Sequence, residues 1–267
     1  MVVDWDYRNF GSSDMHPILF KVGPLTLHTY GLFISTGVLL AIALAAREAR
    51  REGLDPQRIL DLGFYLLVAS IVGSRLLFVL IFYQDYLARP WAIFKLWEGG
   101  LVFYGGFALA LPVGIWYLRR HHLPLWRTAD IWAAPLALGH AVGRIGCFAA
   151  GCCYGKPAQI PWAVTFSHPQ SLAILGVPLH PVQLYEALSN LLIFLFLSFY
   201  RRFRRFEGQL FWLYVLLYSV IRFLLEFFRG DARGFIIPSY LSVSQGISLP
   251  LAVTSLIMLL WRRKRRT

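Results

Sequence analysis

Residues 59–83 read ILDLGFYLLVASIVGSRLLFVLIFY, an almost wholly apolar run with one arginine, Arg75, far from its start. About 20 apolar residues in a helix suffice to cross a hydrocarbon core of roughly 30 Å, so this stretch predicts a transmembrane span. The rest of the chain repeats the pattern at 24–46, 99–118, 128–148, 181–200, 208–228 and 241–261. With 57% hydrophobic and 15% charged residues and a mean hydropathy of +0.56, a water-soluble globule would expose too much apolar surface. The expected fold is all-α: a polytopic integral membrane helical bundle of about seven spans, one domain over residues 1–267.

The segments between these runs alternate in basic charge. One side carries Arg47, Arg50, Arg51 and Arg58, then Arg119, Arg120 and Arg127, then Arg201, Arg202, Arg204 and Arg205, and finally Arg262, Arg263, Lys264, Arg265 and Arg266. The other carries only Arg8, Lys21, Arg89, Lys95, Lys156, Arg229 and Arg233. Positive charge accumulates on the cytoplasmic face of membrane proteins, which puts the amino terminus outside and the carboxyl terminus in the cytoplasm. The formal net charge of +12 is thus a signal of topology and lipid headgroups, and no nucleic-acid partner is expected. Residues 1–23 have no basic stretch followed by a long apolar one, so they predict an external segment rather than a cleaved signal, with the first span directing insertion. Residues 149–180, broken by glycines and prolines, predict an external loop or a re-entrant stretch.

Three cations remain, Arg75, Arg144 and Arg222, all within or at the edge of spans. A charge at such depth is unfavourable by at least about 2.5 kcal/mol on insertion scales, so it is paired or lines a wet cavity unless it snorkels from a helix end. Glu226 follows Arg222 by one helical turn, which allows a structural clip or an anion-binding arginine beside a carboxylate able to take a proton. Arg144 has His140 one turn earlier and Gly143 and Gly146 on either side, small residues that let a helix or a ligand approach the backbone. Cys147, Cys152 and Cys153 form a C-x4-CC pattern. That pattern lacks the paired spacing of common zinc sites, and neither a metal nor a cofactor is expected. A single disulfide, three buried thiols filling a turn, and a thiolate nucleophile lowered by Arg144 all remain open.

The stretches TYGL (29–32), YGG (104–106), GRIGCF (143–148), HPVQLYEALSN (180–190) and RFLLEFFR (222–229), in this order along the chain, resemble the bacterial prolipoprotein diacylglyceryl transferase family over about residues 24–261. The resemblance implies transfer of diacylglyceryl from phosphatidylglycerol to the thiol of the lipobox cysteine in a preprolipoprotein signal peptide. It implies a multi-pass enzyme of the bacterial inner membrane, among membrane lipids, with its active site toward the outer leaflet. On this reading Arg144, Arg222, Glu226, Tyr104 and Tyr30 are the catalytic candidates. Arg144, Gly143, Gly146, Arg75, His180, Gln183, Tyr185, Glu186 and His140 are the substrate-binding ones, and Ser244, Gln245 and Ser248 match a polar cluster of the last span. Family members commonly have asparagine, asparagine and glutamate where this chain has Cys147, Ala150 and Cys152, and histidine where it has Tyr104. These departures move the expected proton acceptor to Glu226 or a neighbouring histidine. They also keep a second reading open, a lipid-binding or transport protein without chemistry, or a transferase with another acceptor.

Overall fold

The structure, a computed structural model, describes residues 12–13, 17–22, 25–87, 89–95, 99–231, 235–237 and 241–264. Most of the expected external amino-terminal segment, with Arg8, lies outside the described residues, as do Arg233, Arg265 and Arg266. The helices are α1 (Thr29–Arg51), α2 (Pro56–Ile81), α3 (Tyr83–Leu87), α4 (Phe103–Arg120), α5 (Leu125–Ala150), α6 (Val182–Tyr200), α7 (Gln209–Leu225) and α8 (Val243–Lys264). Six of them, α1, α2, α5, α6, α7 and α8, are long and apolar enough to cross a membrane. The seventh expected span is α4, whose last two residues are Arg119 and Arg120; its apolar part, residues 103–118, is roughly 24 Å long at 1.5 Å per residue.

The first span starts later than the sequence suggested. Residues 25–28 are extended instead, as strand β3 (Leu25–His28) paired with β2 (Ile18–Val22) in an antiparallel hairpin. The helix begins at Thr29, whose N–H donates to the Pro17 carbonyl. A proline at position 24 and the alternating LTLH sequence favour this local pairing over helix.

The chain divides into two compact units, Met1–Ala41 with Ala129–Thr267, and Ile42–Thr128. In the second unit α2 packs on α4 through small residues: a methyl group on Gly73 would fall 2.7 Å from the Leu109 Cβ, and one on Gly106 2.7 Å from the Ser70 carbonyl. In the first unit Ala133, Ala134 and Ala137 of α5 form a core with Ile193 and Leu197 of α6 and Leu210 of α7. Small side chains on one helix let the other two approach closely, the usual packing device where lipid offers no hydrophobic contrast. Leu188, Leu192, Leu195 and Leu249 stay exposed, as lipid-facing residues must.

Two polar caps fix helix ends in this unit. Asp130, fully buried, accepts from the Gly208 and Phe211 N–H groups at 2.7 and 2.9 Å at the start of α7. It also faces Arg204 at 3.5 Å. Ser242 and Gln245 exchange bonds at the start of α8, Gln245 N–H to Ser242 Oγ at 3.1 Å and Ser242 N–H to Gln245 Oε1 at 3.2 Å, a capping box. The segment after α5 is non-helical from Gly151 and carries β4 (Val164–Phe166) and β5 (Pro178–Leu179), with β1 (Ser12–Ser13) parallel to β4. Phe166, Ala173 and Leu179 give this excursion a core of its own.

Candidate active site

Within the first unit, one buried carboxylate gathers three arginines. Glu186, 2% exposed, lies in the second turn of α6. Arg144 of α5 sets its Nε against Oε2. Arg222 of α7 places Nη1 3.2 Å from Oε1, and Arg229 places Nη1 3.4 Å from the same oxygen. Arg229 gets there because α7 tightens into a 3-10 turn, Glu226–Phe228, and leaves it extended.

Two further carboxylates balance the charge. Glu226 Oε2 stands 2.7 Å from Arg222 Nη1 and 3.8 Å from Arg229 Nε. Asp231 takes Arg229 at two points, Nε to Oδ1 at 2.9 Å and Nη2 to Oδ2 at 2.8 Å. Arg222 also donates from Nη2 to Ser244 Oγ at 2.8 Å. Three guanidiniums thus face three carboxylates, which is how ionised groups persist in apolar surroundings. The pairing is incomplete in one respect. Glu186 Oε2 and Glu226 Oε2 are buried and accept no aligned hydrogen bond among the described residues, although guanidinium atoms stand close to both. Burial opposes the charge on Arg229, but its bonds to Asp231 and the nearby Glu186 outweigh that and raise its pKa above the ordinary value.

Around this cluster the other candidates take specific places. His140 Nε2 accepts from Arg144 Nε at 3.2 Å, and its ring lies 5.0 Å from that of Tyr218. Gly143 and Gly146 admit a helix: a methyl on Gly146 would fall 2.8 Å from the Phe33 Cβ, and one on Gly143 3.1 Å from Ile34 Cδ1, both on α1. Tyr30, on the first turn of α1, is 41% exposed and within electrostatic reach of Arg144 and the three cysteines. Tyr185 OH accepts from Trp162 Nε1 at 2.7 Å and lies 3.3 Å from His180 Nδ1. Gln183 donates to the Cys152 carbonyl at 2.8 Å, tying α6 to the turn after α5.

That turn brings the three thiols together. Gly151 reverses the chain at φ +72°, and Cys153 itself adopts φ +64°, a region that non-glycine residues seldom occupy. The result brings Cys152 and Cys153 back over Cys147 at the last turn of α5. None of the three is in a disulfide, and their sulfurs lie within 4.8 Å of one another. Hydrogen bonding to Cys147 and Cys153, then burial, pushes the Cys152 thiol pKa up, so it is not a thiolate at rest.

Arg75 and Tyr104 belong to the other unit. Arg75 uses its guanidinium on two short stretches, 92–95 and 99–100: Nε donates to the Ile93 carbonyl, Nη1 to those of Gly99 and Gly100, and Nη2 to those of Ala92 and Lys95. A guanidinium has five N–H donors, and these five bonds engage them with backbone carbonyls. Tyr104 is exposed, its ring edge-on to Phe103 at 5.9 Å.

Sequence reading misplaced Arg229, counted there as a loop cation, and missed Asp231. A signal for Arg229 existed: Arg222, Glu226 and Arg229 stand at i, i+4 and i+7, one face of a helix. The central position of Glu186 had none, because its partners come from helices distant in sequence.

Comparison with known proteins adds the family. A model of the family described as prolipoprotein diacylglyceryl transferase matches residues 17–261. Phosphatidylglycerol--prolipoprotein diacylglyceryl transferase of Clostridium tetani is 34% identical over 235 residues, 88% of this chain and 93% of the relative. The proteins of that name from Bacillus velezensis and Vibrio cholerae are 32% and 33% identical, over 96% and 97% of this chain and 96% and 95% of their own lengths.

Proposed function

The chain belongs to the prolipoprotein diacylglyceryl transferase family, and on that premise we propose that it moves the diacylglyceryl group of phosphatidylglycerol onto a prolipoprotein cysteine. The acceptor is the lipobox thiol of the signal peptide, the product a thioether, and the leaving group glycerol phosphate. The observation that carries the mechanism is the convergence of Arg144, Arg222 and Arg229 on Glu186.

Carbon–oxygen cleavage leaves a second negative charge on the departing phosphate. Guanidiniums match phosphate oxygens in two-point geometry and stabilise that developing charge. At rest the carboxylates occupy them. A lipid phosphate entering the cluster competes for the same N–H groups, and each arginine it takes over loosens a carboxylate. Glu226, held at rest by Arg222 and Arg229, is then free to accept the proton of the incoming thiol. Nucleophile, leaving group and proton acceptor are thereby linked through one set of ion pairs.

The enzyme sits in the cytoplasmic membrane with its amino terminus and active site toward the outer leaflet. The sixteen basic residues on one set of connections against seven on the other support that orientation. Arg229 strengthens the contrast, since it is paired inside the cluster rather than lying in a loop.

Purified protein, incubated with phosphatidylglycerol labelled in its acyl chains and a synthetic lipobox peptide, is expected to yield lipidated peptide and an equal amount of glycerol phosphate. A peptide with serine in place of the cysteine yields neither. Tight, saturable binding of phosphatidylglycerol with no product from the cysteine peptide would favour the lipid-binding reading and refute this one.

A further inference from the structure

We propose that Cys147, Cys152 and Cys153 form a three-thiolate zinc site whose open fourth position takes the acceptor cysteine of the substrate. The linear C-x4-CC spacing argued against a metal, but the turn at Gly151 and Cys153 removes that objection by folding the sequence pattern into a cluster. All three sulfurs lie within 4.8 Å of one another, and none is in a disulfide. Zinc–sulfur bonds of about 2.3 Å set tetrahedral sulfurs roughly 3.8 Å apart, so the thiols need close by only about an ångström, within side-chain rotation. The backbone supports the arrangement from both sides. Gly151 N–H donates to the Phe148 carbonyl at 3.0 Å, Leu172 N–H to the Ala150 carbonyl at 3.0 Å, and Gln183 holds the Cys152 carbonyl.

The ligand set is soft and incomplete. Thiolates select thiophilic d10 cations such as zinc over magnesium or calcium. Among the described residues no histidine or carboxylate joins the three sulfurs, and three protein ligands with one open position is the pattern of catalytic rather than structural zinc. Three thiolates on Zn2+ leave a net charge of −1, and the guanidiniums of Arg144 and Arg229 are both within electrostatic reach of Cys153. The same proximity puts the site beside the arginines assigned to the lipid phosphate.

The step rests on the transferase reading and balances as follows. The acceptor thiol binds zinc through sulfur and loses its proton, which passes through solvent to Glu226; a metal-bound thiol is deprotonated outright. The zinc-bound sulfur forms a bond to the glycerol carbon of phosphatidylglycerol, and the carbon–oxygen bond breaks with its electron pair going to the phosphate. Glycerol phosphate leaves in the grip of the arginines. The thioether product, a weaker ligand than a thiolate, dissociates from the metal.

The test uses the full chain purified in detergent under argon with a phosphine reductant. It is expected to retain one zinc per chain through gel filtration, and Co2+ in its place is expected to show sulfur-to-cobalt charge-transfer absorption. Adding a lipobox peptide should raise that absorption as a fourth thiolate binds, and X-ray absorption should count four sulfurs instead of three; the serine peptide should change neither. Cys147→Ser, Cys152→Ser and Cys153→Ser should each weaken zinc by more than the roughly 100-fold that loss of an outer-shell partner causes, and the cobalt spectrum of the unmutated protein keeps the test valid if a variant misfolds. The proposal is overturned by reduced protein that retains no stoichiometric metal, by a cobalt spectrum indifferent to the cysteine peptide, by a thiol count showing a native disulfide, or by metal-free protein that transfers lipid at the full rate. This last result leaves the transferase reading intact. A metal site that gains the fourth sulfur yet gives no lipidated peptide counts against the transferase reading instead.

Discussion

Replacing Glu186 with glutamine removes the charge common to the three arginines while keeping shape and volume. Breaking a buried ion pair from one side destabilises a protein by about 3–5 kcal/mol. The lower end applies here, because Arg222 keeps Glu226 and Arg229 keeps Asp231, although Arg144 faces no second carboxylate among the described residues. About 3 kcal/mol corresponds to a fall in melting temperature of roughly 6–12 °C for a chain of this size. The nine tryptophans make intrinsic fluorescence a suitable readout, at a fixed scan rate in one detergent. The cluster also predicts a rescue. Phosphatidylglycerol should recover more of the loss in Glu186→Gln than it adds to the parent protein, because its phosphate replaces the missing charge, while zwitterionic phosphatidylethanolamine should not. A double variant with Arg144→Gln should be less damaged than the sum of the two single changes by about 1–3 kcal/mol, the range for groups in direct contact. Simple additivity, or equal rescue by both lipids, would refute the placement of Glu186 opposite Arg144.

Arg229→Ala is expected to lower kcat/KM by about 100-fold or more, the effect of removing one donor to developing negative charge. Arg229→Lys should recover only part of this, since an ammonium cannot reproduce the two-point fork; full activity of either variant in a lipidation assay would remove Arg229 from the phosphate site. Asp130→Asn should lower thermal stability by about 2 kcal/mol, from a weakened cap on α7 and a lost charge opposite Arg204, and an unchanged melting temperature would contradict that. Arg75→Lys supplies three donors where five carbonyls are now served. Limited proteolysis should then cut faster at residues 92–95 and 99–100, and unchanged cleavage would show that the guanidinium does not hold those stretches.

The bundle was legible in the sequence because a membrane helix satisfies its own backbone, so apolar run length alone locates it. What that criterion cannot see is where short-range pairing competes with helix, and residues 25–28 went to the hairpin for that reason. Arg144 and Arg222 stood out because each interrupts an apolar run. Glu186 did not, since near a helix start a glutamate looks like any interfacial polar group, and its position opposite α5 and α7 depends on contacts 36 to 43 residues away in the chain. Arg229 was misread because a linear charge count assumes that every cation in a loop is solvated. The closeness of the three thiols was hidden on similar grounds. Ligand spacing rules describe common turns, and a cysteine in the left-handed region makes an uncommon one.

A cluster of three guanidiniums and three carboxylates is neutral, and its neutrality bears on selectivity as well as stability. An uncompensated arginine triad would hold any anion and retain the glycerol phosphate it is meant to release. With carboxylates ready to reclaim the arginines, an anion stays only while its contacts exceed theirs, and a phosphodiester anchored by two acyl chains in the bilayer has that advantage through its fixed position. Once the carbon–oxygen bond breaks, the phosphate loses its anchor and competes as a free solute against carboxylates that are tethered millimolar-equivalent neighbours or better. Product release is then driven by Glu186 and Asp231 returning to their partners, and by Glu226 once it has given up the thiol proton. Substituting Glu186 or Asp231 by its amide should slow turnover more under excess substrate than in a single turnover, and equal slowing in both regimes would place these carboxylates in the chemical step alone.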